Sequence, residues 1–237
     1  MRLRVNERFV SVQGEGLLVG TPSTFVRLTG CNLRCTWCDS GSSSWTPQGE
    51  WATVDALVRA CEQGPRHVVL TGGEPLLQPA VAELSQRLGG AGHHVTFETA
   101  GTVWRDDLHC DLLSVSPKLA NSTPHTRAPR LAARHDALRW QPETVRRLLA
   151  RHAWQLKFVV RASEPATLAE DLVELQQMLR EAGVPTTEHG RVLLMPECTD
   201  PADLPGNYAA LVKTCTEHGF VLGQRLHIAI FGHTPGT

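Results

Sequence analysis

The sequence predicts an α/β protein built as a partial, open parallel β/α barrel. Three observations carry the prediction. Short β-branched, apolar runs recur along the chain and end in turn residues. Segments of helical periodicity lie between them. Such alternation builds right-handed βαβ units on a parallel sheet, and a chain of 237 residues has room for about six, short of a closed eight-fold barrel.

Taken in order, Ser23–Thr29 alternates as a strand, and His67–Thr71 is a run that stops abruptly at Gly72-Gly73. His94–Thr99, Asp111–Ser116, Leu156–Val160, Arg191–Met195 and His227–Ile230 are the further strand candidates. Leu77, Val81, Leu84 and Leu88 recur at helical spacing, as do Leu168, Leu172, Leu175 and Leu179. Asp55–Cys61, Glu143–Ala150 and Asn207–Thr216 suggest shorter helices. Residues 121–141 are rich in Pro, Arg and His and have no clean period. They read as an insertion or mobile loop inside a single domain spanning 1–237, with no internal repeat and no linker.

Composition narrows the function classes. Apolar residues make up 41% and charged residues 20%, with a formal net charge of −1, as in an ordinary soluble domain. No basic run suggests a nucleic-acid groove, and no apolar stretch has membrane-spanning length. The start, Met1 to Glu7, lacks the apolar core of a signal peptide, so a cytoplasmic protein is expected. Seven cysteines, three of them within eight residues, do not resemble a secreted disulfide framework. In a reducing compartment such a cluster points to metal.

The triplet Cys31-Asn32-Leu33-Arg34-Cys35-Thr36-Trp37-Cys38 follows the Ser23–Thr29 strand, at a C-terminal strand end, where α/β barrels build their sites. Gly30 permits a sharp turn there. Three thiolates on one short loop can hold three irons of a cubane cluster and leave the fourth open. A structural zinc ion is the alternative, but it needs a fourth protein ligand. A remote Cys61, Cys110 or histidine would have to supply it.

The triplet is followed by a strand ending in Thr71-Gly72-Gly73-Glu74-Pro75. This pair of motifs resembles the signature of the radical S-adenosylmethionine superfamily, and the fold it implies is that superfamily's partial barrel. The resemblance implies a [4Fe–4S] cluster on Cys31, Cys35 and Cys38, with S-adenosylmethionine chelating the open iron. Phe9 to Gly16 (F-V-S-V-Q-G-E-G), Gly20-Thr21-Pro22, Phe25 to Cys35, Asp39-Ser40, Glu98 to Thr102 and Ser116-Pro117-Lys118 form an ordered set. That set is similar to the 7-carboxy-7-deazaguanine synthases, specifically over the first half of the chain. The second half matches mainly in pattern, at Leu156 to Val159, Leu194 to Glu197 and Arg225 to His227.

This narrower resemblance implies a ring contraction of 6-carboxy-5,6,7,8-tetrahydropterin to 7-carboxy-7-deazaguanine with loss of ammonia. It also implies Mg2+, a homodimer, an electron donor such as flavodoxin or ferredoxin, and a place in queuosine-type deazapurine biosynthesis. By residue, it implies pterin contacts at Val12, Gln13, Gly14, Glu15, Arg27 and Thr71. A carboxylate and a backbone turn suit the donors and acceptors of a pterin edge, and a guanidinium suits its carboxylate. S-adenosylmethionine contacts fall on Trp37, Asp39, Gly73, Glu74, Ser116 and Lys118, and the Mg2+ ligand on Ser40, where the family often has Thr. Two rivals are a glycyl-radical activase, which shares the triplet spacing, and a non-catalytic zinc module. Taken singly, Glu15 could be solvated, Arg27 an exposed strand residue and His227 a core histidine.

Overall fold

A computed structural model describes residues 1–237 and forms one nine-stranded sheet. The first strand, β1 (Arg2–Val12), pairs antiparallel with both β2 (Pro22–Leu28) and the edge strand β3 (Glu50–Thr53). From β2 onward every pairing is parallel, through β4 (His67–Gly72), β5 (His94–Thr99), β6 (Leu112–Val115), β7 (Trp154–Val160), β8 (Val192–Pro196) and β9 (Val221–Leu222). The order β3-β1-β2-β4-β5-β6-β7-β8-β9 leaves β3 and β9 as free edges, so the barrel is open.

Parallel strands are covered on their faces and read as apolar runs. Val68, Val69 and Leu70 are fully buried, as are Phe97, Leu113 and Phe158. The covering helices supply the other half of a 36-residue core. They are α2 (Val54–Cys61), α3 (Val81–Gly90), α5 (Pro142–Arg151), α6 (Pro165–Ala182) and α7 (Leu204–His218), preceded by the single turn α1 (Gly41–Ser44). Each buried Leu or Phe contributes about 1.5–3 kcal/mol. Local signals set the helix ends. Thr53 caps α2 by accepting the Ala56 N–H at 3.1 Å. Gly183 closes α6 in the left-handed conformation, φ 72°.

Several elements depart from the sequence expectation, the short strands β3 and β9 among them. Residues 121–141 are not a mobile loop: they hold a 3-10 turn, Ala120–Ser122, and the helix α4 (Pro129–Arg139). Only Ala132 and His135 of α4 are buried, too few to leave an apolar period. The run His227–Ile230 is not a strand but part of α8 (Leu226–Phe231). The sheet edge it would have joined is occupied by β9, and Ile228 packs instead on Cys198 and Leu204. The strand β1 lies in a segment where Leu3 alone is fully buried, so its alternation is weak.

Candidate active site

A cavity of about 570 Å3 opens at the C-terminal ends of the parallel strands. Cys31, Cys35 and Cys38 line it together, on the loop that leaves β2. Gly30 starts that loop at φ 103°, a conformation L-residues avoid. Its N–H donates to the Ser43 carbonyl at 2.8 Å, and its carbonyl accepts the Glu74 N–H at 2.8 Å. A side chain at Gly73 would overlap the Gly30 carbonyl and the Cys31 side chain. The two motifs seen in the sequence are therefore in direct backbone contact.

The loop is braced from outside by the segment expected to be mobile. The Thr36 N–H donates to the Ser122 carbonyl at 2.8 Å. The Trp37 indole N–H donates to Asn121 Oδ1 at 3.1 Å. The Arg34 N–H donates to His135 Nδ1 at 3.0 Å, and His135 Nε2 lies 2.9 Å from Ser122 Oγ. Ser122 Oγ gives its proton to the Leu119 carbonyl, so His135 is the neutral Nε2–H tautomer. Burial pushes the His135 pKa down to about 4, consistent with that tautomer.

The thiols fit a cluster. Cys31 and Cys35 rest with Leu33 and Ala100 in an apolar seat. Burial pushes their pKa values up to about 11 and about 12, so iron must displace their protons on binding. No trio of His, Cys, Asp or Glu side chains is arranged to hold a single ion. A zinc site would need its sulfurs within about 4 Å of each other, given a Zn–S bond of ~2.3 Å. The thiols also lack the fourth protein ligand that closes a structural zinc site.

A chain of polar groups then crosses the cavity. Thr71 Oγ1 donates to Glu98 at 2.8 Å. Lys157 Nζ lies 3.3 Å from Glu98 and 3.0 Å from Glu15. Arg225 bonds Glu15 at 3.2 Å, Asp39 at 2.8 Å and the Cys198 carbonyl at 2.6 Å. Burial alone would raise the pKa of Glu15, but Lys157, Arg225 and His227 overrule it and hold the carboxyl well below the usual range. Burial opposes the Lys157 charge, and Glu98 and Glu15 overcome it, so the ammonium persists above its ordinary pKa.

Most of the expected site residues meet here. Val12, Gly14, Glu15, Arg27, Trp37, Asp39, Ser40, Thr71, Gly73, Ser116 and Lys118 all line the cavity. Arg27 gives Nε to Glu7 at 2.6 Å and Nη1 to Ser40 Oγ at 3.1 Å. Lys118 Nζ donates to the carbonyl and hydroxyl of Ser116, both at 2.7 Å, and lies 5.7 Å from the Trp37 ring centroid. Asp39 and Ser40 offer adjacent hard oxygens suited to Mg2+. Glu15 is not merely solvated, Arg27 faces the cavity, and His227 packs its ring against Gly14 at the cavity wall.

Two expected residues face elsewhere. Gln13 is buried and donates to Ser23 Oγ at 3.2 Å. Glu74 is 1% exposed and accepts from Thr99 Oγ1 and from the N–H groups of Ala100 and Leu76. Its carboxylate fastens the end of β5 rather than lining the cavity. Lys157, Glu98 and Arg225 join the expected residues in the cavity, and His135 braces its cysteine loop. Lys157 carried a readable signal, a lone charge inside the apolar run Leu156 to Val160. The tail His233–Thr237 also lines the cavity, with His233 Nε2 3.1 Å from the Asp39 carbonyl.

Known proteins share this plan. The model of the radical SAM superfamily matches residues 25–201. The crystal structure of QueE from Escherichia coli superimposes with a TM-score of 0.70 and 23% identity, over 96% of this chain and 95% of that one; this likeness speaks for the fold. A 7-carboxy-7-deazaguanine synthase of Halobacterium salinarum is 43% identical over 99% of this chain and 93% of its own length. One from Rhodopirellula baltica is 40% identical over 99% of this chain and 89% of its own length. Two relatives matched almost end to end, on a cavity that gathers the same cysteine and glycine motifs, place this chain in the 7-carboxy-7-deazaguanine synthase family of the radical SAM superfamily.

Proposed function

We propose that the chain is a carbon–nitrogen lyase that contracts 6-carboxy-5,6,7,8-tetrahydropterin to 7-carboxy-7-deazaguanine with loss of ammonia. The observation that carries this reading is the junction of a three-cysteine loop and a carboxylate–ammonium–guanidinium chain in one cavity. Cys31, Cys35 and Cys38 would hold a [4Fe–4S] cluster, which with bound S-adenosyl-L-methionine would supply radical chemistry that belongs to the cofactor. The chain's own residues bind, orient and shield.

Glu15, kept ionised by Lys157 and Arg225, accepts from donor groups on the pterin edge. Arg27 spends Nε and Nη1 on Glu7 and Ser40, which leaves Nη2 to meet the substrate carboxylate. Thr71, aimed by Glu98, and the backbone of Val12, Gln13 and Gly14 complete the substrate contacts. The Gly73 backbone, Trp37, Asp39, Ser116 and Lys118 receive S-adenosylmethionine, and Ser40 with Asp39 holds Mg2+. The role of Glu74 is to hold the Gly73 turn against Ala100, not to touch cofactor with its side chain. A homodimer, an external electron donor and a cytoplasmic location belong to the same proposal; no helix is long and apolar enough to cross a membrane.

The test is anaerobic turnover by the reconstituted, reduced protein with S-adenosylmethionine, Mg2+ and the pterin. Appearance of 7-carboxy-7-deazaguanine supports the reading. Formation of 5′-deoxyadenosine without that product would show that the substrate is wrong and the radical chemistry right.

A further inference from the structure

The chain is close to neutral, but its charge is not evenly spread. Residues 126–151 hold seven arginines against two carboxylates. Both carboxylates are committed locally, Asp136 to Arg139 and Thr123, and Glu143 to Arg146. On α4 the inward side is Ala132 and His135, while Arg130, Leu131 and Arg134 are exposed. Residues three and four apart share a helix face, so Arg130 and Arg134 flank Leu131. Neither arginine has an ion-pair partner.

This face sits over the cysteine loop. A recess of about 90 Å3 is lined by Cys31, Asn32, Arg34, Leu131, Arg134 and His135. Cys31 is the one residue it shares with the large cavity. Arg34 lies within the triplet itself and also lacks a carboxylate partner, its Nη1 turned to the Cys31 and Leu33 carbonyls. Arg127 donates to the Thr36 carbonyl at 3.0 Å and stacks 4.0 Å from the Trp45 ring centroid. Leu131, with Arg34 and Arg134 in the same recess and Arg130 beside it on α4, therefore sits against the outer side of Cys31, and the bond from the Arg34 N–H to His135 fixes α4 to the cysteine loop.

We propose that this face, Leu131 flanked by Arg34, Arg130 and Arg134, is the docking surface for a small acidic protein that reduces the cluster. The inference rests on the radical SAM reading above. One electron leaves the donor and enters the cluster; no atom or proton changes hands. The geometry favours this occupant over a polynucleotide because Arg34 and Arg134 share one small recess with Cys31 rather than lining a groove. Unpaired surface cations around a small apolar centre steer and orient an acidic partner more than they tighten it. The complex should thus be weak, fast and sensitive to salt.

The experiment uses the reconstituted protein and a purified acidic flavodoxin, with binding measured by calorimetry at low and high salt. The variant is Arg130→Glu with Arg134→Glu; the control is Arg59→Glu with Arg180→Glu, the same charge change on α2 and α6. The α4 variant is expected to weaken donor binding by about tenfold or more and to lose its salt dependence, while the control stays within about twofold of the parent. Cleavage of S-adenosylmethionine driven by dithionite, too small to need a docking face, should be equal in all three. Unchanged donor binding in the α4 variant overturns the proposal, as does equal weakening in the control. Loss of binding to a mixed transfer RNA, with donor binding intact, would also overturn it and assign the face to nucleic acid. Absence of dithionite-driven cleavage in the parent would strike the radical reading instead, a result seen separately from donor binding.

Discussion

Replacing Lys157 with Met removes the one ammonium that two cavity carboxylates share. Lys157 has a side-chain exposure of 4% and sits between Glu15 and Glu98. Breaking a buried pair by deleting one partner costs about 3–5 kcal/mol. Glu15 and Glu98 keep 17% and 32% of their side-chain exposure, so water recovers part of that loss, and Arg225 still faces Glu15. A cost of about 2 kcal/mol remains, which for a chain of this length lowers Tm by about 4–8 °C. The pH dependence gives a sharper signature. In the parent, the Glu15 pKa is depressed, so its contribution is present above the unfolded value of about 4.3 and is lost only as pH falls through the folded one. The Lys157 pKa is raised, so its contribution is complete below the unfolded value of about 10.4 and constant between about pH 5 and 8. Without Lys157, burial raises the Glu15 pKa with less opposition, and protonation relieves the variant but not the parent. The Tm deficit should therefore be widest near about pH 8 and narrow toward about pH 5. The assay is thermal unfolding by circular dichroism across that range, on metal-free and reconstituted protein. A deficit below about 1 °C, or one that stays flat with pH, would refute the account of Lys157 as the shared counter-ion.

Further expectations test other parts of the site. Gly73→Ala should fold, because the overlap is confined to the loop contact with Gly30 and Cys31, but should bind S-adenosylmethionine at least tenfold more weakly, about 1.4 kcal/mol; equilibrium binding to the reconstituted protein decides it. Replacing Cys31, Cys35 or Cys38 by Ala should abolish the brown chromophore, whereas Ser at Cys61, Cys110, Cys198 or Cys215 should leave iron content unchanged. Iron lost on replacing Cys110 would mean a different ligand set. His135→Ala leaves the Arg34 N–H without an acceptor, a loss of about 1–3 kcal/mol, and should reduce iron retention. Because burial depresses the His135 pKa to about 4, parent stability should rise between about pH 4 and 6.5, and the variant should lose that component of the rise.

What could be read directly from the sequence is what local spacing encodes. Cys31, Cys35 and Cys38 share a loop, and Gly72-Gly73 ends a strand, so both motifs carry their geometry within a few residues. The central parallel strands were legible for a similar reason: Val68, Val69 and Leu70, or Phe97 and Leu113, are covered on both faces and leave continuous apolar runs. The antiparallel strand β1 and the helix α4 bury few residues, so hydrophobic pattern could not mark them. His227–Ile230 has strand composition, yet composition does not record that β9 already fills the sheet edge. The polar chain across the cavity was the least legible part. Lys157 meets Glu15 across 142 residues and Arg225 meets it across 210, distances set by strand order rather than by any motif.

That chain also explains why the cavity suits its cofactors electrically. Three carboxylates, Glu98, Glu15 and Asp39, share two full cations, Lys157 and Arg225. Glu7 and Arg27 cancel as a separate pair. Burial lowers the His227 pKa, so the imidazole beside Glu15 does not supply the missing charge at neutral pH. The chain is left with one negative charge in excess, part of it on Asp39 beside Ser40 and the cysteine loop. A sulfonium or a divalent cation meets that excess, and a neutral or anionic ligand in the same place does not. On the proposed reading the carboxylate of the substrate falls to Arg27, whose Nη2 is left free by Glu7 and Ser40. Arg27 Nη1 also bonds Ser40 Oγ at 3.1 Å, so on the same reading the anionic substrate is brought beside the proposed Mg2+ site, where opposite charges support each other.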